Sequence, residues 1–262
     1  APQLHAFTRD DDAFWNTCSD VWTVIHTNLQ SALETTGISR DGKTVARTAK
    51  AAALSAFEST KLRFFSHLLQ AIQAPSLIAS MEDDIARGEA PIVQLTSTNQ
   101  AVLDRRLRAS EGASPDDLDF TPREYVIDYL ERAFPTARFE PITDDTGEVT
   151  GARPMRDTDG NTVQCPQAAA AKAALLERLH LMPECLGVLD QLMAPFGPDR
   201  LSECTGRTRR LLYETGRRHL AVRGSPANMF EASPFMSGAT RPPGIPPPRG
   251  TGPRSGAARA PR

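Results

Sequence analysis

A chain of 262 residues, 40% of them hydrophobic, is long enough for one large domain or two small ones and can bury a substantial core either way. A formal net charge of -2 and a pI near 6.3 exclude a global positive field for holding nucleic acid and leave only local basic faces for that purpose. Four scattered cysteines without a C-x-x-C pair, and five histidines that form no closely spaced pair, speak against a zinc site.

No apolar run approaches the roughly 18 residues of a membrane span, and the first residues have no signal-peptide layout, so a reducing, cytoplasmic setting is expected. The chain opens without methionine, which suggests that the start of the protein lies upstream. Charge is uneven along it. Residues 239 to 262 hold five arginines and no acid, leaving an acidic body and a basic tail.

From Trp15 the apolar residues fall at Trp15, Cys18, Trp22, Ile25, Leu29, Ala32 and Leu33, steps of three and four that place them on one stripe of a long amphipathic helix. The next stretch, "GISRDGKT" (37–44), fits the phosphate-loop pattern G-x-x-x-x-G-K-[ST], with Gly42, Lys43 and Thr44 as the residues that would contact a nucleotide and its magnesium. A phosphate loop needs a strand before it, whereas "LQSALETT" has helical spacing. The pattern is therefore read as a helix-to-helix turn, with Gly37 as a helix C-cap and "RDG" as turn chemistry. A nucleotide site at this loop is the rival reading.

A second long helix follows, periodic through Leu54, Phe57, Phe64, Leu68 and Ile72 and ending at Pro75. Ser76 then reads as the N-cap of a new helix carrying Leu77, Ile78, Met81 and Ile85, with Gly88 as its stop. Ile92 to Leu95 has strand character, "TSTNQ" is a polar loop, and Ala101 to Leu107 resumes helical spacing. Helix, strand, hydroxyl loop and helix make an α/β unit of the kind that builds a parallel sheet, with ligands expected at the loop beyond the strand.

"FTPREYVIDYLERAF" predicts a helix with Thr121 as N-cap, Pro122 at the first position, Glu124 closing a capping box and Phe120 against Tyr125 as a staple. Between Arg138 and Val163 the turns "DDTGEVTG" and "DTDGN" predict one or two β-hairpins; Asp157, Asp159 and Gly160 do not make an EF-hand, because Met155 and Pro166 would occupy ligand positions. Helices are expected from Gln167 to His180 and Pro183 to Met193, and again near Asp199. "TGRTRR" (205–210) supplies a basic turn in which Arg207, Arg209 and Arg210, with Arg217 and Arg218, form either a solvated patch or a phosphate-contacting one. The last 24 residues, with seven prolines and four glycines, are expected to be disordered, and their abrupt composition fits a coding accident such as a frameshift.

The stretches "FWNTCSDVWTVIHTNLQSALETTGI", "SAFESTKLRFFSHLLQAIQAPSLIASMEDDIARGEAPIVQLTSTNQA", "DFTPREYVIDYLERAFP", "VLDQLMAPFGPDRLSECTGRTRR" and "SPANMFEASPFMSG" together resemble the bacterial and plasmid branch of the strawberry notch family, superfamily 2 helicase-like ATPases. The resemblance runs in collinear order from about Phe7 to Gly238.

It implies a mostly helical α/β protein. Residues 1–75 would be a helical region following an ATP-binding first lobe that lies upstream. Residues 76–238 would be a partial RecA-like second lobe with helical and hairpin insertions, and 239–262 a disordered tail. Ile92 to Leu95 would be that lobe's first strand, and Thr96, Ser97 and Thr98 would donate to nucleic-acid phosphates, although Asn99 stands where the family pattern has a small glycine.

The relatives carry their Walker loop upstream of "GISRDGKT" and their arginine finger beyond "FMSG", so neither "GISRDGKT" nor "TGRTRR" holds those parts. ATP and magnesium belong to the parent family. In this chain no cofactor, metal or catalytic residue is expected, and no unaided ATPase activity. The partners implied are nucleic acid, DNA first, and the missing first lobe. A stand-alone adaptor that docks proteins through its helical surfaces is the remaining alternative.

Overall fold

The computed structural model describes residues 5–95, 121–179, 182, 185–201, 209–214 and 217–222. It is α/β and mostly helical. Helix α1 (Arg9–Thr35) starts in a capping box: Asp11 N–H donates to Thr8 Oγ1 at 3.1 Å and Thr8 N–H to Asp11 Oδ2 at 2.8 Å. Asp10, Asp11 and Asp12 put negative charge at the positive end of the helix dipole. The stripe expected from the sequence is the buried one, with Cys18, Trp22, Ile25, Leu29, Ala32 and Leu33 all inside.

A two-residue hairpin, β1 (Ser39–Arg40) and β2 (Lys43–Thr44), leads to α2 (Arg47–Ala86), whose 40 residues reach roughly 60 Å. This corrects the expectation that the second helix ends at Pro75 and a new one is capped by Ser76. Proline removes the N–H that would bond the carbonyl four residues back and normally costs about 3 kcal/mol inside a helix. Here that carbonyl, Ala71 O, accepts instead from Gln191 Nε2 at 3.0 Å, and Ser76 Oγ pairs with His5 Nδ1 at 2.7 Å. The satisfied carbonyl lets one helix cross residue 75 and serve two cores.

The larger core joins α1, the first half of α2, α3 (Arg123–Arg132) and α4 (Pro166–Leu179). Its centre is aromatic: Trp22 lies edge-on to Phe57 and Phe64 with ring centroids 5.4 and 5.6 Å apart, and Tyr129 closes on Phe57 at 5.9 Å. Trp22 Nε1 and Tyr129 OH are buried without hydrogen-bond partners among the described residues, so these two rings contribute through packing. The smaller core joins Ala74 and Met81 of α2 to Val188, Leu192 and Phe196 of α5 (Val188–Arg200).

Two helix starts differ from the sequence reading. The helix of residues 123–132 begins at Arg123 with Pro122 as its cap residue, and Glu124 N–H donates to the main-chain carbonyl of Thr121 at 3.0 Å. Helix α5 begins at Val188, five residues after the Pro183 expected, with Gly187 extended before it; Gly197, at φ +64, interrupts it near its end.

All three sheets among the described residues are two-stranded and antiparallel: β1–β2, β3 (Phe139–Thr143) with β4 (Val149–Pro154), and β5 (Arg209–Glu214) with β6 (Arg217–Val222). The hairpins expected between Arg138 and Val163 are present, the second as single bridges Ala137–Gln164 and Arg156–Thr162 around the "DTDGN" turn.

Ile92 to Leu95 pairs with no strand among the described residues, which corrects its assignment. Val93 and Leu95 lean on the smaller core while Ile92 is 88% exposed. The alternation is that of a strand, but extended backbone becomes one only when a neighbour takes its N–H and C=O groups. No described helix is long and apolar enough to cross a membrane.

Candidate functional site

The loop that matches the phosphate pattern is built by three devices. Helix α1 ends with Gly37 at φ +81, its N–H donating to Glu34 O at 3.0 Å. Asp41 and Gly42 then both take positive φ, +50 and +72, the backbone of a tight two-residue hairpin turn for which Asp-Gly is the preferred pair. Val45 and Ala46 N–H groups both donate to Ile38 O, at 3.1 and 3.0 Å, and Lys50 Nζ donates to Thr44 Oγ1 at 3.1 Å.

A phosphate loop turns its successive N–H groups into one concavity between a strand and a helix. Here a helix precedes the loop, several of those donors are spent on its own backbone, and Lys43 and Thr44 sit in a strand. The helix-to-helix turn read from the sequence is what the chain adopts.

Of the residues expected to touch nucleic acid, Thr96, Ser97 and Thr98 lie outside the described residues, as does Arg207. So do the Ala101–Leu107 segment, Phe120 and the tail from 239 to 262. Arg209 and Arg210 open β5, opposite Val222 and Ala221, and Arg217 and Arg218 open β6, so these four arginines lie on a hairpin, while residues 205–208 of the turn expected lie outside the described residues. Sequence reasoning missed that hairpin because "TGRTRR" drew attention to charge, while the strand signal lay in the short apolar runs Leu211–Tyr213 and Leu220–Val222.

Compared with protein-family models, curated proteins and solved structures, the chain shows no significant match.

Two of the titratable groups held inside are thiols. Burial raises the Cys18 thiol to about 12 and the Cys185 thiol to about 11, with the nearby Cys185 adding to the effect on Cys18, so neither supplies a thiolate at neutral pH. Between α1 and α4 a groove of about 250 Å³ is walled by Val21, Val24, Leu175 and Leu179, with exposed Asp20 and Arg178 beside it. Among the described residues no three His, Cys, Asp or Glu side chains converge on a point.

His67 of α2 and Tyr125 of α3 form a buried pair: Tyr125 OH and His67 Nε2 are 2.9 Å apart and the rings stack at 5.1 Å. Desolvation holds the His67 pKa below its usual value. On acidification the unfolded chain takes up this proton first, so the stability His67 contributes is complete above about pH 6.5 and is lost as pH falls through the lowered folded value. Denaturant titrations from pH 8 to 5 should therefore show a decline that is shallower in His67→Gln. At pH 8 that variant should cost about 1–2 kcal/mol for the lost contact, and the gap to the parent should narrow as the solution is acidified.

Proposed function

We propose that the chain is part of a strawberry notch-type, ATP-dependent nucleic-acid helicase or remodelling protein, supplying a portion of its second RecA-like lobe and contacts to the nucleic-acid backbone. The observation that carries this reading is the collinear series of sequence blocks from about Phe7 to Gly238. The packing gives those blocks a common purpose: the first contributes Trp22, the second Phe57 and Phe64, and the third Tyr129 to one aromatic core. In the parent protein, two lobes close on ATP and magnesium while the second lobe's contacts step along the strand. Thr96, Ser97 and Thr98, in the polar loop that follows Leu95, would supply contacts to the phosphates.

The chain is expected to bind a fluorescent oligonucleotide of about 20 nucleotides, losing about a hundredfold in affinity between about 50 and 200 mM salt. It should hydrolyse no ATP unaided. Replacing Thr96, Ser97 and Thr98 together with alanine should weaken binding by about tenfold or more, measured by fluorescence anisotropy. Unaided hydrolysis abolished by Lys43→Ala would install the nucleotide-binding reading instead. The adaptor reading draws on an uncovered strip of α2, where Leu62 is 73% exposed and Leu69 is also exposed. Capture of a protein partner, with no salt-sensitive nucleic-acid binding, would favour it.

A further inference from the structure

Helix α2 keeps one face uncovered, and that face is not built like a solvated one. Its inward side carries Phe57, Phe64 and Leu68 into the larger core. On the outer side Ala52, Ser55, Ser59, Leu62, Ser66 and Leu69 follow one another at alternating steps of three and four, and all six are exposed. The outer face of a helix in water normally carries charged residues. This strip has none, and Leu62 near its middle is 73% exposed.

Steps of three and four average about 3.5 residues, the repeat with which two helices wind round each other. The alanine and serines among the leucines let a second helix axis come close, since interaxial distance is set by the side chains at the contact. The two flanks of the strip are charged, with opposite sign. Glu58 and Arg63 are both exposed, and neither takes part in an ion pair among the described residues. They lie about 140° apart around the helix axis, on opposite sides of the strip, so they cannot pair with each other. Arg63 Nε donates to Ser59 O at 3.1 Å, which lays the guanidinium beside the strip.

We propose that this strip is a self-association surface, on which two copies of the chain pair α2 against α2, parallel and about a two-fold axis. In that arrangement Glu58 of each copy faces Arg63 of the other, as charges flanking the seam of a parallel helix pair do, and Leu62 and Leu69 meet their own counterparts. An antiparallel pair would set each flank against the same flank of the other copy, like charge toward like. A second copy is the occupant that fits because the charge each flank needs is the one the other flank carries. The larger core lies on the opposite side of α2, clear of the seam. With two leucines per copy the pair should be transient, with a Kd of about 10–100 μM. Self-association here does not depend on the nucleic-acid contacts proposed above.

Sedimentation velocity of the full chain, from about a tenth of that Kd to about ten times it, should show monomer passing to dimer. Leu62→Glu should weaken the dimer by about tenfold or more with no loss of melting temperature, since the side chain it replaces already stands in water. Glu58→Arg and Arg63→Glu should each weaken it by about threefold or more, and the two together in one chain should restore it. Damage to a single helix would give no such recovery.

A parent chain that stays monomeric over that range would overturn the proposal and leave the strip to a different protein. A dimer that survives Leu62→Glu would overturn it by placing the interface elsewhere. Single reversals that weaken the dimer without recovery in the double variant would overturn the parallel pairing, as would reversals that change nothing. Should Leu62→Glu melt below the parent, the charge reversals, at two exposed positions, decide by themselves.

Discussion

Trp22→Ala should lower the unfolding free energy by about 3–5 kcal/mol, the largest loss expected from any single side chain among the described residues. Trp22 is 2% exposed and touches aromatic partners from two other elements, Phe57 and Phe64 of α2 and Tyr129 of α3. Truncation removes its transfer free energy and leaves a void that three helices would have to move to fill. Its indole N–H makes no hydrogen bond among the described residues, so the loss is one of packing. Tyr129→Phe is the control. It deletes a buried hydroxyl that has no partner among the described residues and leaves the ring, so stability should be unchanged or higher by about 1 kcal/mol. Urea titrations of both variants would measure this, and a large loss in Tyr129→Phe would show that the hydroxyl has a role in folding.

Gly37→Ala should be the most damaging glycine substitution among the described residues, at about 2–4 kcal/mol. The residue sits at φ +81, which costs an L side chain about 1–2 kcal/mol, and its added Cβ would stand 2.8 Å from the main-chain oxygen of Phe139. That oxygen cannot step aside, because Phe139 N–H donates to Thr36 O at 2.6 Å and so clamps the start of β3 to the end of α1. Gly42→Ala separates the two effects. Its φ of +72 carries the same backbone strain, but a Cβ there meets nothing within 4 Å, so its cost should stay near 1–2 kcal/mol. Equal midpoint shifts in denaturant for the two variants would mean that the contact with Phe139 does not limit this junction.

The candidate site was legible only in part. The reading of "GISRDGKT" as a turn followed from local chemistry: helical spacing before it, a glycine able to end a helix, and an Asp-Gly pair that favours a tight hairpin.

By itself the sequence determined the elements whose signal is local and periodic. The buried stripe of α1 and the stop at Gly88 follow from side-chain spacing and from glycine's freedom at positive φ. So do the hairpin of Phe139–Pro154 and the helix of Pro166–Leu179, which rest on turn chemistry and apolar spacing.

Tertiary structure alone decided where one element's backbone depended on another's side chain or edge. Pro75 is tolerated because Gln191, 120 residues away from Ala71, bonds the carbonyl it orphans. Ile92 to Leu95 has the alternation of a strand without a partner among the described residues to make it one. The physical reason is the same in both places. A main-chain N–H or C=O group must be satisfied by something, and sequence periodicity shows which residues turn inward but not which distant group arrives to complete the bond.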